Sequence, residues 1–202
     1  MNGQRVRLRS CLYLMFKLFD YQLDLIDRAR KQIADKNVMI VSPPGSGKSV
    51  VISEIIKRAT EKGGKVLFLV HRKELIEQIT GSLIRHDVNL SHVDLLTVGK
   101  AKSRLSVIQK PTLIITDEGH HGNASTYQII YDYFSDVPRL GFTATPWRLS
   151  GDGFTDIYDV MVEGQTVEWL INNHNLAPYN YYSVLSIDTD KLKIKNGDYS
   201  NK

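Results

Sequence analysis

Val38-Met39-Ile40-Val41 runs without a break into Ser42-Pro43-Pro44-Gly45-Ser46-Gly47-Lys48-Ser49, and this junction decides the fold. Four apolar residues in succession suit a parallel strand covered on both faces. A tight turn follows at once, and residues 49–61 then read as a helix closed by Gly63-Gly64. Strand, turn and helix in that order build a phosphate-binding loop. Its glycines let the backbone wrap an anion with N–H groups pointing inward, and the helix turns its positive end to the same charge. Pro44, Gly45, Ser46, Gly47, Lys48 and Ser49 are therefore the expected cradle of a nucleoside triphosphate. Lys48 is expected to reach the β and γ phosphates, and the Ser49 hydroxyl to hold Mg²⁺. The strict pattern G-x-x-x-x-G-K-[ST] has Ser42 at its first glycine, so the match is to a relaxed form. The bland reading is a glycine-rich turn with an exposed lysine, and the buried strand in front of the turn argues against it.

The same grammar continues outward. Residues 21–35 carry Leu25, Ile26, Ala29 and Ile33 at helical spacing. Val66-Leu67-Phe68-Leu69-Val70 and Leu113-Ile114-Ile115 are further continuous apolar runs, and residues 93–98 and 140–144 read as strands. Leu75, Ile79 and Leu83 mark a crossover helix, residues 123–134 another, and residues 167–171 part of a short one. Alternating strands and helices predict an α/β domain: a doubly wound, mostly parallel sheet with helices on both faces and ligands at the carboxyl ends of its strands.

Asp117-Glu118-Gly119-His120 follows the Leu113-Ile114-Ile115-Thr116 strand, which puts two carboxylates at a strand exit. Taken alone, the pair would be an ordinary solvated turn. With a phosphate loop upstream it stands where metal and water must be handled: Asp117 as the Mg²⁺ carboxylate, through water, and Glu118 as general base. A zinc site built from Asp117, His120 and His121 lacks the H-E-x-x-H spacing. His120 is instead expected to relay between the nucleotide and its neighbours.

These parts, in this order, resemble the first RecA-like lobe of superfamily 2 helicases and translocases, in the DEAD/DEAH-like group that has compact phage and bacterial members. The resemblance covers about residues 18–182 and rests on six elements. They are Tyr21-Gln22, the phosphate loop, Leu69-Val70-His71-Arg72-Lys73-Glu74-Leu75 (motif Ia), Leu96-Thr97-Val98-Gly99-Lys100 (motif Ib), residues 117–120 (motif II) and Thr143-Ala144-Thr145-Pro146-Trp147-Arg148 (motif III). It implies a RecA-like P-loop NTPase lobe over residues 15–176 that uses ATP and Mg²⁺. It also implies that Gln22 reads adenine, for which an amide offers both donors and an acceptor. Arg72, Thr97, Gly99 and Lys100 are implied as contacts to a nucleic-acid backbone, DNA ahead of RNA, and Thr143 and Thr145 as the link between the γ-phosphate site and a second lobe. Phe19-Asp20 stands where the family often has Arg-Pro, and Gly119 where an alanine is common. No arginine follows Arg148, so the arginines that the family's second lobe supplies to the developing phosphoryl charge must come from elsewhere. Residues 177–202 are then a linker towards that lobe, and nucleic-acid-stimulated ATP hydrolysis is expected to need it. A truncated binding module without catalysis and the motor of a restriction-type complex are the competing readings.

Bulk properties fit this frame. The 202 residues are 42% hydrophobic, enough for one sizeable core. The net charge of +4 divides unevenly: residues 1–150 carry 22 Lys/Arg against 14 Asp/Glu, and residues 151–202 carry 4 against 8. A basic body suits a polyanionic partner. The lone Cys11 excludes an internal disulfide framework and fits a reducing, cytoplasmic setting. Arg5, Arg7 and Arg9 precede an apolar run in the order of a secretory signal, but Lys17 interrupts that run and no small-residue cleavage site follows. Residues 1–14 are read as a poorly ordered extension with Met15 as the functional start. No stretch approaches the roughly 20 apolar residues of a membrane span, so no membrane partner is expected.

Overall fold

The computed structural model describes residues 17–117, 124–145, 157–179, 193–195 and 198–200. The expected extension, 1–14, and its alternative start, Met15, lie outside them. In chain order the elements are α1 (Asp20–Gln32), β1 (Val38–Val41), α2 (Lys48–Glu61), β2 (Val66–Val70), α3 (Glu74–Arg85), β3 (Val93–Thr97), α4 (Val98–Lys102) and β4 (Leu113–Asp117). They continue with α5 (Ala124–Tyr133), β5 (Arg139–Thr143), β6 (Val160–Glu163), α6 (Val167–Asn172), β7 (Lys193–Lys195) and β8 (Asp198–Ser200).

Six strands form one sheet in the order β3-β2-β4-β5-β1-β6, and every pairing in it is parallel. β7 and β8 make a separate antiparallel pair within the stretch assigned to a linker. Alternation along each strand sorts side chains to two faces. Val66, Phe68 and Val70 join Ile40, Ile115 and the apolar sides of α1, α2 and α3, whereas Leu67, Leu69 and Ile114 join Tyr127 and Ile130 of α5, Phe134 just beyond it, and Val98 and Ala101 of α4. All five β2 residues are 0% exposed, which is why that run carries no polar position. This is the doubly covered parallel sheet that the apolar runs predict.

Two local expectations are corrected. Val98 does not extend β3. The Thr97 side-chain oxygen accepts the Lys100 N–H at 3.4 Å, which caps a short helix and turns Val98 back into the core. β6 was not among the expected strands. It lies at the sheet edge with only Val162 buried, so its four residues lack the continuous apolar signature of a central strand. The strand expected over 140–144 spans Arg139–Thr143, because Ala144 falls in a turn closed by Thr143 and Thr145.

Candidate nucleotide site

The order β4-β5-β1 brings the ends of the two decisive segments to one edge of the sheet. Val41 pairs with Thr143, and Asp117 with Phe142. The turn beyond β1 places Gly45 and Gly47 at φ +80°, a left-handed conformation that side chains rarely adopt. Gly47 is the N-cap of α2, which has no side-chain cap and no acidic residue in its first turn. Its first N–H groups therefore keep their positive end for an anion. Lys48 begins this helix, and its Nζ lies 3.5 Å from Asp117 Oδ1, each side chain 19% exposed. The lysine and the acid, distant in sequence, thus share one cleft. Ser49, half-buried, follows Lys48 on the first turn.

Hydroxyls and an amide brace the loop from beneath. Ser42, where the strict motif has glycine, has its Oγ 2.6 Å from Ser46 Oγ, and Ser46 Oγ donates to the Pro43 carbonyl at 2.6 Å. Both serines are 3% exposed. The departure from the strict motif is thus a side-chain strut inside the loop. The Thr143 carbonyl accepts the Ser42 N–H at 2.9 Å, while the Thr143 hydroxyl donates to the Thr145 carbonyl at 2.8 Å and accepts the Thr145 N–H at 3.1 Å. Thr143 and Thr145 therefore form a compact turn tied to the base of the loop.

Gln22 is also drawn to this loop. Only 3% exposed, its Oε1 accepts the Phe19 N–H at 3.0 Å and its Nε2 donates to the Ser46 carbonyl at 3.1 Å. The Tyr21 hydroxyl donates to the same carbonyl at 3.0 Å. In this structure the amide thus holds the glycine-rich turn beyond β1, a role that the adenine expectation did not include. Tyr21 stacks on Phe19 and meets Trp169 edge-on, each at 5.7 Å between ring centroids.

The other expected residues fall in two groups. Arg72 lies just past the end of β2, and Thr97 at the end of β3, whose last residue pairs with Val70. Thr97 with Gly99 and Lys100 of α4 occupies the same edge as Asp117, on the far side from the phosphate loop. Arg72, Gly99 and Lys100 are exposed, while Thr97 is partly covered by its capping role. Glu118 and His120 lie outside the described residues, as do Pro146, Trp147 and Arg148.

Sequence reasoning missed a hydroxyl network behind Asp117. Thr116 Oγ1 lies 2.8 Å from the Tyr131 hydroxyl, which lies 3.4 Å from that of Tyr158. Burial pushes both phenols above their ordinary range, opposed at Tyr131 by its Thr116 hydrogen bond and reinforced at Tyr158 by Tyr131. The Arg139 guanidinium sits 4.9 Å over the Tyr131 ring. Nothing local marked these residues, since each partner comes from a different element.

The sequence family described as type III restriction enzyme, res subunit, matches this chain over residues 15–108 and 85–148. A 51.5 kDa protein of a Lactococcus phage (isolate 7-9) is 76% identical over 164 residues, covering 81% of this chain and 36% of that protein. The putative ATP-dependent helicase IRC3 of Saccharomyces cerevisiae is 27% identical over 226 residues, covering 96% of this chain and 32% of IRC3. Among solved structures, a nuclease-deletion mutant of the type ISP restriction-modification enzyme LlaGI, in complex with a DNA substrate mimic, superposes with a TM-score of 0.59. It is 17% identical, covering 79% of this chain and 21% of that one. The chain thus spans about a third of the length of these curated relatives.

Proposed function

Because this chain belongs to the type III restriction enzyme res-subunit family and is an ATP-dependent helicase/translocase lobe of superfamily 2, we propose that it binds Mg²⁺-ATP in the Lys48–Asp117 cleft and couples it to DNA. The observation that carries this reading is the 3.5 Å approach of Lys48 Nζ to Asp117 Oδ1 beside the uncapped start of α2. A lysine and helix N–H groups suit a polyphosphate, and a carboxylate beside them suits the cation that accompanies it.

The residues divide the work by their chemistry. Pro44, Gly45, Ser46 and Gly47 shape the loop, Lys48 orients the β and γ phosphates, and Ser49 and Asp117 hold Mg²⁺. The metal, when bound, neutralises charge on the phosphate oxygens. Glu118 is assigned from sequence as the base that orients water, His120 as a relay, and Thr143 and Thr145 as the link to a second lobe. Gln22 takes part through the loop it braces, and adenine contact adds to that role. Arg72, Thr97, Gly99 and Lys100 grip a nucleic-acid backbone, where contacts to phosphate position the strand without reading bases. DNA is favoured because the LlaGI structure contains a DNA substrate mimic. A second RecA-like lobe, in a longer chain or from a partner, supplies the arginines that make hydrolysis fast. The site of action is the cytoplasm, and no helix among the described residues is long and apolar enough to cross a membrane.

The motor of a restriction-type complex is the second reading, favoured by the family's own description. It changes what the lobe drives, not how it handles ATP. The test is ATP turnover by this chain with and without DNA. Slow hydrolysis abolished by Lys48→Ala, and raised by DNA only once a second lobe is supplied, is the expected result. Oligonucleotide binding with no nucleotide binding that depends on Lys48 would replace the motor with a passive binding module.

A further inference from the structure

Protein interiors pack to the density of organic crystals, so an open apolar space inside a fold calls for a reason. A cavity of about 160 Å³ lies between α1, α2 and the sheet, walled by Ile26 and Ala29 of α1, Ile55 and Ala59 of α2, and Leu113 and Leu140 at the starts of β4 and β5. Ala29 and Ala59 are the small residues that leave the space. β4 and β5 end at Asp117 and Thr143, so the cavity stands at the edge of the sheet opposite the nucleotide cleft.

Its charged lining is of one sign. Arg30, Arg58 and Lys62 border it, and among the described residues no acid does. Arg58 is already engaged, with Nε 2.7 Å from Glu54 Oε1 and Nη1 3.5 Å from Asp27 Oδ1. Arg30 and Lys62 are exposed and, among the described residues, hold no hydrogen bond or ion pair. Nor does either have to cap a helix at these carbonyls. Those of Ala59 and Thr60 accept the Gly64 and Gly63 N–H groups at 3.0 and 2.9 Å, and that of Gln32 accepts the Lys36 N–H at 3.1 Å.

An apolar cavity of roughly 150 Å³ takes a body the size of benzene. Two unpaired cations at the open side favour an occupant with negative charge at its edge. None of the large apolar side chains left exposed among the described residues lines the cavity, so no apolar strip leads away from it as a docked polypeptide would need. We propose that this cavity binds a small apolar carboxylate, an acid with a body of about six carbons, its apolar part between α1 and α2 and its anion at Arg30 and Lys62. The proposal goes beyond the nucleotide reading and does not rest on it.

The test follows amide chemical shifts of the 202-residue chain during titration with benzoate, neutral benzamide, benzylammonium and acetate. Benzoate is expected to saturate, to shift amides within residues 26–33 and 55–62, and to bind about fivefold or more tighter than benzamide at low salt. Benzylammonium and acetate, each lacking one half of the chemistry, should bind about tenfold or more weaker than benzoate. Ala59→Leu fills the cavity and should abolish binding of both benzoate and benzamide. The double variant Arg30→Ala, Lys62→Ala, at exposed positions, should make benzoate and benzamide bind alike, and it decides the matter if Ala59→Leu does not fold. Benzoate no tighter than benzamide, binding that survives in folded Ala59→Leu, shifts confined to residues 42–49, or saturation by no probe overturns the proposal. Tighter binding of the tetrapeptide Gly-Gly-Gly-Leu with its free carboxylate than of benzoate would place a polypeptide end in the cavity and overturn the free acid.

Discussion

Replacing Gly47 by alanine tests how the phosphate loop is held, and its cost can be worked from two neighbours. At φ +80° a side chain carries a strain of about 1–2 kcal/mol. The added methyl would also lie 2.3 Å from Gln22 Nε2, so the amide must leave the Ser46 carbonyl. Losing that buried hydrogen bond costs about 1–3 kcal/mol, for a total of about 2–5 kcal/mol. In a chain of this size each kcal/mol lowers Tm by about 2–4 °C, so the expected drop is roughly 4–20 °C. Gly45→Ala is the control. It has the same φ, but the methyl would meet Leu176 Cδ1 at 2.7 Å, the movable end of a flexible side chain, so only the strain of about 1–2 kcal/mol should appear. Urea unfolding of Gly47→Ala, Gln22→Ala and the double variant separates strain from clash. With Gln22 shortened, the cost of Gly47→Ala should shrink to the strain alone. The same cost in both backgrounds, or a Gly47→Ala no more destabilised than Gly45→Ala, refutes the reasoning.

Two further outcomes follow from ionisable groups. Burial lowers the His86 imidazole from its ordinary value of 6.5, with Glu54 opposing and Lys57 and Arg85 adding to the effect. The unfolded chain then binds the proton more readily, so stability should be flat above about pH 6.5 and fall as pH drops below it. His86→Gln should flatten that fall, as read from urea midpoints at mildly acidic and neutral pH. At the other extreme, the phenols of Tyr127, Tyr131 and Tyr158 stay protonated in the folded state because burial raises them. Stability should therefore decline above about pH 10, where the unfolded phenols ionise, and ultraviolet titration should show them ionising only as the chain unfolds.

Much of the architecture is written locally. Val66–Val70 has no polar residue because both faces of β2 are covered, and a run of that kind can be read without partners. The glycine-rich turn between β1 and α2 is equally local, since its glycines, lysine and flanking strand are contiguous. What escaped reading depends on partners distant in sequence or on a small local competition. β6 is a half-exposed edge strand, and Val98 looks like more of β3 until the Thr97 side chain captures a backbone N–H. The Ser42 strut, the Gln22 hold on Ser46 and the Thr116–Tyr131–Tyr158 network each need a second element in place. The approach of Lys48 to Asp117 was legible only as a consequence of strand order, because β5 alone separates β4 from β1.

Magnesium dependence of nucleotide affinity tests the shared cleft most directly. ATP binding to wild type, Lys48→Ala and Asp117→Asn is titrated with Mg²⁺ present and with Mg²⁺ chelated. Lys48→Ala should bind weakly in both conditions, whereas Asp117→Asn should match the wild type without Mg²⁺ and lose most of the gain that Mg²⁺ brings. Wild-type affinity and an intact Mg²⁺ gain in both variants would contradict the account.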